Sequence, residues 1–396
     1  MSPPAEPLGI HQNAARHVAR ASSPAGSSGV SPPVSDFTVA TRQGEGSRTG
    51  TVPQPAGEDA RATSQIPLVS CIIPTLNAGK ILGNCLESIR RQDYPQDRIE
   101  VIVVDGGSTD ETLALIQKYG CVLVNNPRRI AEAGKQTAIP TARGDFIVFV
   151  DADNEIVSTD FIRLAVAALQ AHPETLGVES YYIESARMSS FCVYLTRTMH
   201  IGDPVAWMMS VNPVFLRQDG EVEVWSFPEG SLAFPLGANG FVYQRATLML
   251  ANPAEDFEDT HVALRIAKTG RRTWLRLAGR GVHHYLVAGP GDFIRKRRRQ
   301  TYHFLSLRKR PKGSSWTDMN PAVSPLVAVL YCATVAGPLW HTARGLWRTR
   351  DWHWLWHPLA CLFSVVGLVW GVLTFKLSNR THDAEASLQP KQKIDS

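Results

Sequence analysis

The 396-residue sequence predicts an α/β fold with a doubly wound sheet, followed by two apolar helices. Three observations carry this. From Leu68 to about Lys268, short runs of β-branched and aromatic residues alternate with stretches of helical periodicity. The run Phe146–Val150 is apolar at every position, as a strand buried on both faces in the centre of a parallel sheet must be. Near the C-terminus, Pro321–Trp340 and His357–Phe375 contain no charged residue, and each is close to the ~20 residues that a helix needs to cross a bilayer core.

Taken in order, residues 1–65 are rich in Ser, Pro, Ala and Gly, without apolar periodicity. Such a segment cannot bury enough surface to offset its chain entropy, so disorder is expected. It lacks the apolar core of a secretory signal, so the part that follows is expected in the cytoplasm. Val69–Ile73 reads as a buried strand closed by Pro74-Thr75, and Ile81, Leu82, Cys85, Leu86 and Ile89 follow at helical spacing. Val101–Val104 is the next strand. Ser108 with Glu111 spells a capping box for a helix running to Gly120. Cys121–Val124 is a third strand, Ala131–Ala142 a helix interrupted near Pro140, and Thr159–Gln170 an amphipathic helix after the central strand. Tyr181–Ile183 suggests a strand, Val205–Met209 an exposed apolar element suited to docking a lipid, and Trp225–Phe241 a loop or hairpin. Asp259–Lys268 is helical, with Gly270 as its C-cap.

The charge balance is only +5, but nine Lys or Arg fall between Arg295 and Lys312, just before the apolar segments. That favours a cytoplasmic start and contact with anionic lipid headgroups; nucleic acid is not an expected partner. Five tryptophans (Trp340, Trp347, Trp352, Trp354 and Trp356) cluster between the segments, as at a membrane surface. Arg344, Arg348 and Arg350 resist a simple two-span hairpin, leaving a re-entrant hairpin as the alternative; a pair of buried core helices is the other reading. The boundaries are therefore 1–65, disordered; 66–294, the α/β domain; 295–320, basic; 321–341, a first transmembrane helix; 342–356, a connector; 357–376, a second transmembrane helix; and 377–396, a polar tail. The six cysteines include no C-x-x-C pair, so neither a zinc site nor a disulfide framework is indicated.

Three strand ends converge on the carboxyl edge of the sheet, where ligands bind in open α/β folds: Pro74-Thr75, Asp105 and Asp151-Ala-Asp153. Asp105 suits a hydrogen bond to a ribose or a base. Asp151 and Asp153 suit either one hard cation shared with a diphosphate or a plain turn. Neither G-x-G-x-x-G nor a P-loop follows the first strand.

The blocks Val-Ser-Cys-Ile-Ile-Pro-Thr-Leu-Asn, Val-Ile-Val-Val-Asp-Gly-Gly-Ser-Thr-Asp and Ala-Arg-Gly-Asp-Phe-Ile-Val-Phe-Val-Asp-Ala-Asp, in this order and spacing, resemble the family 2 glycosyltransferases. The resemblance implies the GT-A fold with its mixed sheet, a nucleotide-sugar donor, a divalent cation (Mg²⁺ or Mn²⁺) and inversion at the anomeric carbon. It implies that Pro74, Thr75 and Asp105 cradle the nucleoside, with Lys135 standing where the family usually has an Arg. Asp151 would contact the ribose side and Asp153 the metal, with His283 or His284 as a further ligand. Glu258-Asp259 resembles the acidic pair whose Asp is the general base, and Asn239-Gly240 the acceptor-side loop. Arg298 and Arg299 lie in a basic stretch similar to the one that grips the leaving diphosphate, although the Q-x-x-R-W spelling is absent; a membrane-adsorbing helix is the equal alternative. The expected acceptor is lipid-linked or an envelope glycan at the inner membrane. A sugar nucleotidyltransferase and a non-catalytic membrane scaffold are the competing readings.

Overall fold

The computed structural model describes residues 66–198, 202–254, 257–306, 322–334 and 336–388. The expected disordered segment 1–65, the end of the basic segment and the last part of the polar tail lie outside the described residues. Ten strands form one mixed sheet: β1 (Val69–Thr75), β2 (Ile99–Asp105), β3 (Val122–Asn125), β4 (Phe146–Phe149), β5 (Asn154–Ile156), β6 (Val178–Tyr182), β7 (Val214–Asp219), β8 (Val222–Ser226), β9 (Phe241–Gln244) and β10 (Thr273–His284). Their order is β3-β2-β1-β4-β9-β6-β10-β8-β7, with β5 paired to β10.

The first half is the doubly wound part that the alternating pattern demands. β1 pairs in parallel with β2 and β4, and β2 with β3. Period-two alternation sends Val69, Cys71 and Ile73 of β1 into one core layer and Ile72 into the other. The helices Leu82–Arg90 and Phe161–Ala171 cover the first layer, and Asp259–Lys268 covers the second. β4 is central and fully buried, as its composition requires, but its other neighbour, β9, runs antiparallel. The sheet is therefore mixed.

Four local expectations change. The helix after β2 is shorter, Thr112–Lys118, and Ser108 does not cap it. Ser108 instead donates to Asp105 and accepts from the amide of Asn77 (2.7 Å), while Asp110 accepts from the amide of Thr112 (3.1 Å). The hydroxyl is more useful tying two loops together than closing a local box. Val205–Met209 is not an exposed element. It belongs to the helix Pro204–Met209, and Val205 and Met209 are buried against Ala328, Cys332 and Cys361. The apolar face has a partner more than a hundred residues away, which local pattern cannot reveal.

The first expected transmembrane helix is not one element. It divides into Pro325–Ala333 and Ala336–Thr349, bent by 79°. Pro338 can sit only in the first turn of a helix, because its ring and missing N–H break an interior. The expected connector is also largely helical, and Arg344 and Arg348 lie within Ala336–Thr349. By length and composition, one helix among the described residues can cross a membrane, Trp352–Ser378, or two if the bent pair counts as one. The helix itself continues from His357 to Leu388.

Gly281 sits at the register shift between β6 and β10, where an added Cβ would lie 1.9 Å from the Tyr181 carbonyl oxygen. Gly281→Ala is expected to lower stability by about 3 kcal/mol through overpacking against backbone; chemical denaturation measures it.

Candidate active site

The sheet brings most of the expected residues to one edge. Asp151 and Asp153 follow β4 directly, and Lys135 reaches the same place from the helix Ala131–Ala138. That helix can lie close on β1 because Gly134 carries no side chain: a Cβ there would meet Asn126 at 3.0 Å and Pro74 at 3.4 Å. The Lys135 ammonium is 3.0 Å from Asp151 Oδ1 and 2.8 Å from Asp259 Oδ2, and its side chain is 1% exposed. Asp259 lies in the first turn of the helix Asp259–Lys268. Gly237 and Gly240, both at positive φ, let the preceding loop pass close by: a Cβ on Gly237 would meet the Asp259 carbonyl oxygen at 2.6 Å.

This is an ion triad around a buried ammonium, with two half-buried carboxylates to one cation. Burial opposes charge on Lys135, but Asp151 and Asp259 outweigh it and hold the ammonium above its ordinary value. Asp151 stays below the usual carboxylate range, since Lys135 overcomes its burial. Asp259 is pushed up to about 7, by burial first and by Asp151, with Lys135 opposing. Its Oδ1 is buried with no hydrogen-bond partner among the described residues. A carboxylate poised near neutral pH with a free oxygen is what proton abstraction requires.

Asp153 is pushed up to about 6, by burial and then by Asp151. Asn154 accepts from the Asp151 amide through Oδ1 (3.3 Å) and donates through Nδ2 to Asp153 Oδ1 (3.1 Å). With its amide so oriented, the 2.7 Å contact from Nδ2 to His284 Nδ1 makes that ring nitrogen an acceptor and assigns the ring proton to Nε2. His284 Nδ1 is 3.8 Å from Asp153, and burial drives the ring down to about 3, so it is neutral. His283 points to the opposite face and donates from Nδ1 to the Ile183 carbonyl (2.9 Å). Of the two expected histidine ligands, only His284 is brought beside Asp153, and its Nδ1 lone pair is engaged. Among the described residues no group of three or more His, Cys, Asp or Glu could hold a metal ion. The donor set fits a cation shared between Asp153 and ligand oxygens rather than one caged by protein: a crowded carboxylate would be relieved by positive charge, and little else is free to bind it.

The other expected residues divide. Thr75 Oγ1 and Asn239 Oδ1 are buried at the edge without protein partners, open to a ligand. Asn239 donates to Tyr182 OH (3.0 Å), and its carbonyl and the amide of Gly240 are held by Ser180 and Phe149. Asp105 turns inward to its own loop, accepting from the amides of Gly107 (2.9 Å) and Ser108 (2.8 Å). Glu258 is the N-cap residue beside Asp259 and lies 3.2 Å from His261. Arg298 and Arg299 are not brought to the carboxylates. Arg298 stacks over Trp370 at 4.7 Å and Arg299 is exposed.

Lys296, two residues earlier, faces the site. Burial presses its ammonium below its ordinary value, with Asp153 and Asp151 pulling the other way, and it donates to the Leu286 carbonyl (3.0 Å). Sequence reasoning missed Lys296, Asn154 and Tyr182. In a run of five consecutive cations only the helical phase, set by distant packing, selects the one that faces inward.

Lys135→Met leaves Asp151 and Asp259 buried without a counter-charge. It is expected to cost about 3–5 kcal/mol. The triple variant with Asp151→Asn and Asp259→Asn should recover much of that loss in urea denaturation.

Residues 70–188 match the model of glycosyl transferase family 2. The chain is 33% identical over 109 residues to the poly(ribitol-phosphate) beta-N-acetylglucosaminyltransferase TarS of Staphylococcus aureus, covering 26% of this chain and 19% of that protein. It is 27% identical over 176 residues to the glycosyltransferase GlyG of Streptococcus pneumoniae, covering 42% and 54%. These matches span at most about half the length of either relative. Among solved structures, the mannosyltransferase PcManGT of Pyrobaculum calidifontis, in complex with GDP-Man and Mn²⁺, is 19% identical, covering 77% of this chain and 87% of that one with a TM-score of 0.48. The matched stretch, 70–188, carries the β1, β2 and β4 strand ends, Lys135, Asp151 and Asp153.

Proposed function

We propose that the chain is an inverting glycosyltransferase, moving a sugar from a nucleotide-diphospho-sugar to a hydroxyl or phosphate acceptor, lipid-linked or part of an envelope glycan, at the cytoplasmic membrane face. The observation that carries this reading is the Lys135 ammonium held between Asp151 and Asp259, at the strand edge of a family 2 domain. TarS and GlyG, both glycosyltransferases by their names, support it.

In this reading the nucleoside lies over Pro74, Thr75 and the loop that Asp105 holds in shape. Asp151, kept ionised by Lys135, accepts from the ribose side. A divalent cation would be held by Asp153 and the donor's diphosphate, and when bound would neutralise charge that builds on the leaving group. Lys296 adds a fixed cation on the same side, where Arg298 and Arg299 were expected. Asp259 Oδ1 takes the proton of the acceptor hydroxyl while that oxygen attacks the anomeric carbon. Lys135 keeps the carboxylate oriented and prevents burial from raising its pKa further. Asn239, Gly240 and Tyr182 line the acceptor side, and His284, neutral and protonated on Nε2, offers a hydrogen bond rather than a metal bond. One base and no enzymic nucleophile give a single displacement with inversion. The Pro74–Lys80 turn holds one Gly and one Lys, which counts against a sugar nucleotidyltransferase.

Transfer assayed in membranes with a panel of nucleotide sugars tests the reading. Asp259→Asn is expected to reduce turnover about 10²–10⁴-fold with donor binding retained; near-normal turnover would remove Asp259 as the base.

The active form is the ionised carboxylate, so kcat/KM should climb about tenfold per pH unit at low pH and level off above about 7. Because Lys135 lowers the Asp259 pKa, any residual activity of Lys135→Met should have this limb displaced to higher pH.

A further inference from the structure

We infer that the C-terminal helices lie in one leaflet of an anionic bilayer as an in-plane platform, and that the apolar helix His357–Leu388 does not cross it. This rests on the membrane attachment proposed above and replaces the expected two-span topology. The first observation is how the helix meets the catalytic domain. The basic helix Pro290–Ser306 packs along its middle, not at an end. Gly367 and Gly371 form the groove: a Cβ on Gly367 would lie 2.5 Å from Arg297 Cβ, and one on Gly371 2.6 Å from Thr301 Cβ. Contact continues through Arg298 over Trp370 (4.7 Å) and Tyr302 OH to Ser378 (3.3 Å). Arg297 also pairs with the buried Asp203 (3.2 Å), which accepts from Ser364 (2.6 Å).

Five consecutive cations, Arg295 to Arg299, therefore lie alongside the centre of the segment that would have to sit in hydrocarbon. Charged side chains at that depth are strongly disfavoured. Lys296, within the electrostatic reach of Asp153 and Asp151, neighbours the residue packed on Gly367. The middle of the apolar helix is thus tied to the level of a catalytic edge that must admit a water-soluble nucleotide. It cannot also be the middle of a bilayer.

The second observation is the opposite face. Small side chains, Ala360, Cys361, Ser364, Gly367 and Gly371, are turned to the protein, whereas Leu359, Leu362, Val366, Val369, Leu373 and Leu377 are 43–63% exposed at spacings of three and four residues. On Ala336–Thr349, Trp340 and Trp347, seven residues apart on one side, are 65% and 72% exposed. A one-sided apolar stripe and two exposed tryptophans, with Arg295 and Arg299 exposed on the helix packed against the apolar one, match an acyl–headgroup boundary of negative charge.

The test uses the full chain in sealed membrane vesicles, with one epitope inserted after Arg350 and another at the C-terminus, probed with protease from one side. The in-plane arrangement predicts that both epitopes and the catalytic domain are cut from the same side. Protection of either epitope while the catalytic domain is cleaved would overturn it, the one after Arg350 marking two spans and the C-terminal one marking a single span. In parallel, Val366→Glu with Leu373→Glu should lower partition of the purified chain onto phosphatidylcholine vesicles containing phosphatidylglycerol at least tenfold, with the thermal midpoint of the catalytic domain retained. Unchanged partition, or a stable dimer that ignores vesicles, would mean that this face does not meet lipid. Donor hydrolysis by the same variant separates the two readings: its survival leaves the transferase proposal standing whichever way the topology falls.

Discussion

Everything at the catalytic edge depends on one buried ammonium. Lys135 is enclosed by protein, and without Asp151 and Asp259 its charge would be prohibitively costly there. Conversely, Lys135 holds the pKa of each carboxylate below what its burial alone would set. The triad joins three separate parts of the chain: the helix after β3, the end of β4 and the helix that begins at Asp259. The same charge that makes these parts cohere divides the carboxylates by function, holding Asp151 low while Asp259 stays near neutrality. Such a division of pKa values between neighbouring acids gives the proposed mechanism its permanent anion and its base.

A second constraint runs from this edge to the C-terminus. β10 ends at His284, whose ring touches Asn154, and the chain then enters the helix that carries Lys296 and Arg297. That helix is inseparable from the apolar helix, because glycines at 367 and 371 let the backbones approach closely. The proposed membrane-facing surface and the edge that holds Asp151 and Asp153 are thereby joined through one packed pair of helices. For an enzyme whose acceptor is proposed to be lipid-borne, this couples the height of the active site above the bilayer to the depth of the platform.

The divergences between sequence and structure have a common cause. Ser108, Val205, Met209 and Lys296 each met a partner that no local window contains. A capping box, an exposed apolar element and an undifferentiated basic run were reasonable local readings. In each, a long-range contact offered the side chain a better arrangement. His283 and His284 are the sharpest instance: they are adjacent in sequence, but strand alternation sends one toward Asp153 and the other to the Ile183 carbonyl.

By itself, the sequence determined the alternating strand and helix units, the buried central strand Phe146–Val150, the acidic pair after it and the family resemblance of the stretch 70–188. These follow from periodicity and from motifs in which neighbouring residues act together. Only the tertiary structure decided that Lys135 bridges Asp151 and Asp259 and that Lys296 rather than Arg298 or Arg299 faces the site. It also decided that the segment 321–341 bends into two helices, and that the apolar helix packs along a basic one. The physical reason is that burial, pKa and membrane depth depend on what surrounds a group in three dimensions, and the spacing of residues along a chain carries no record of that.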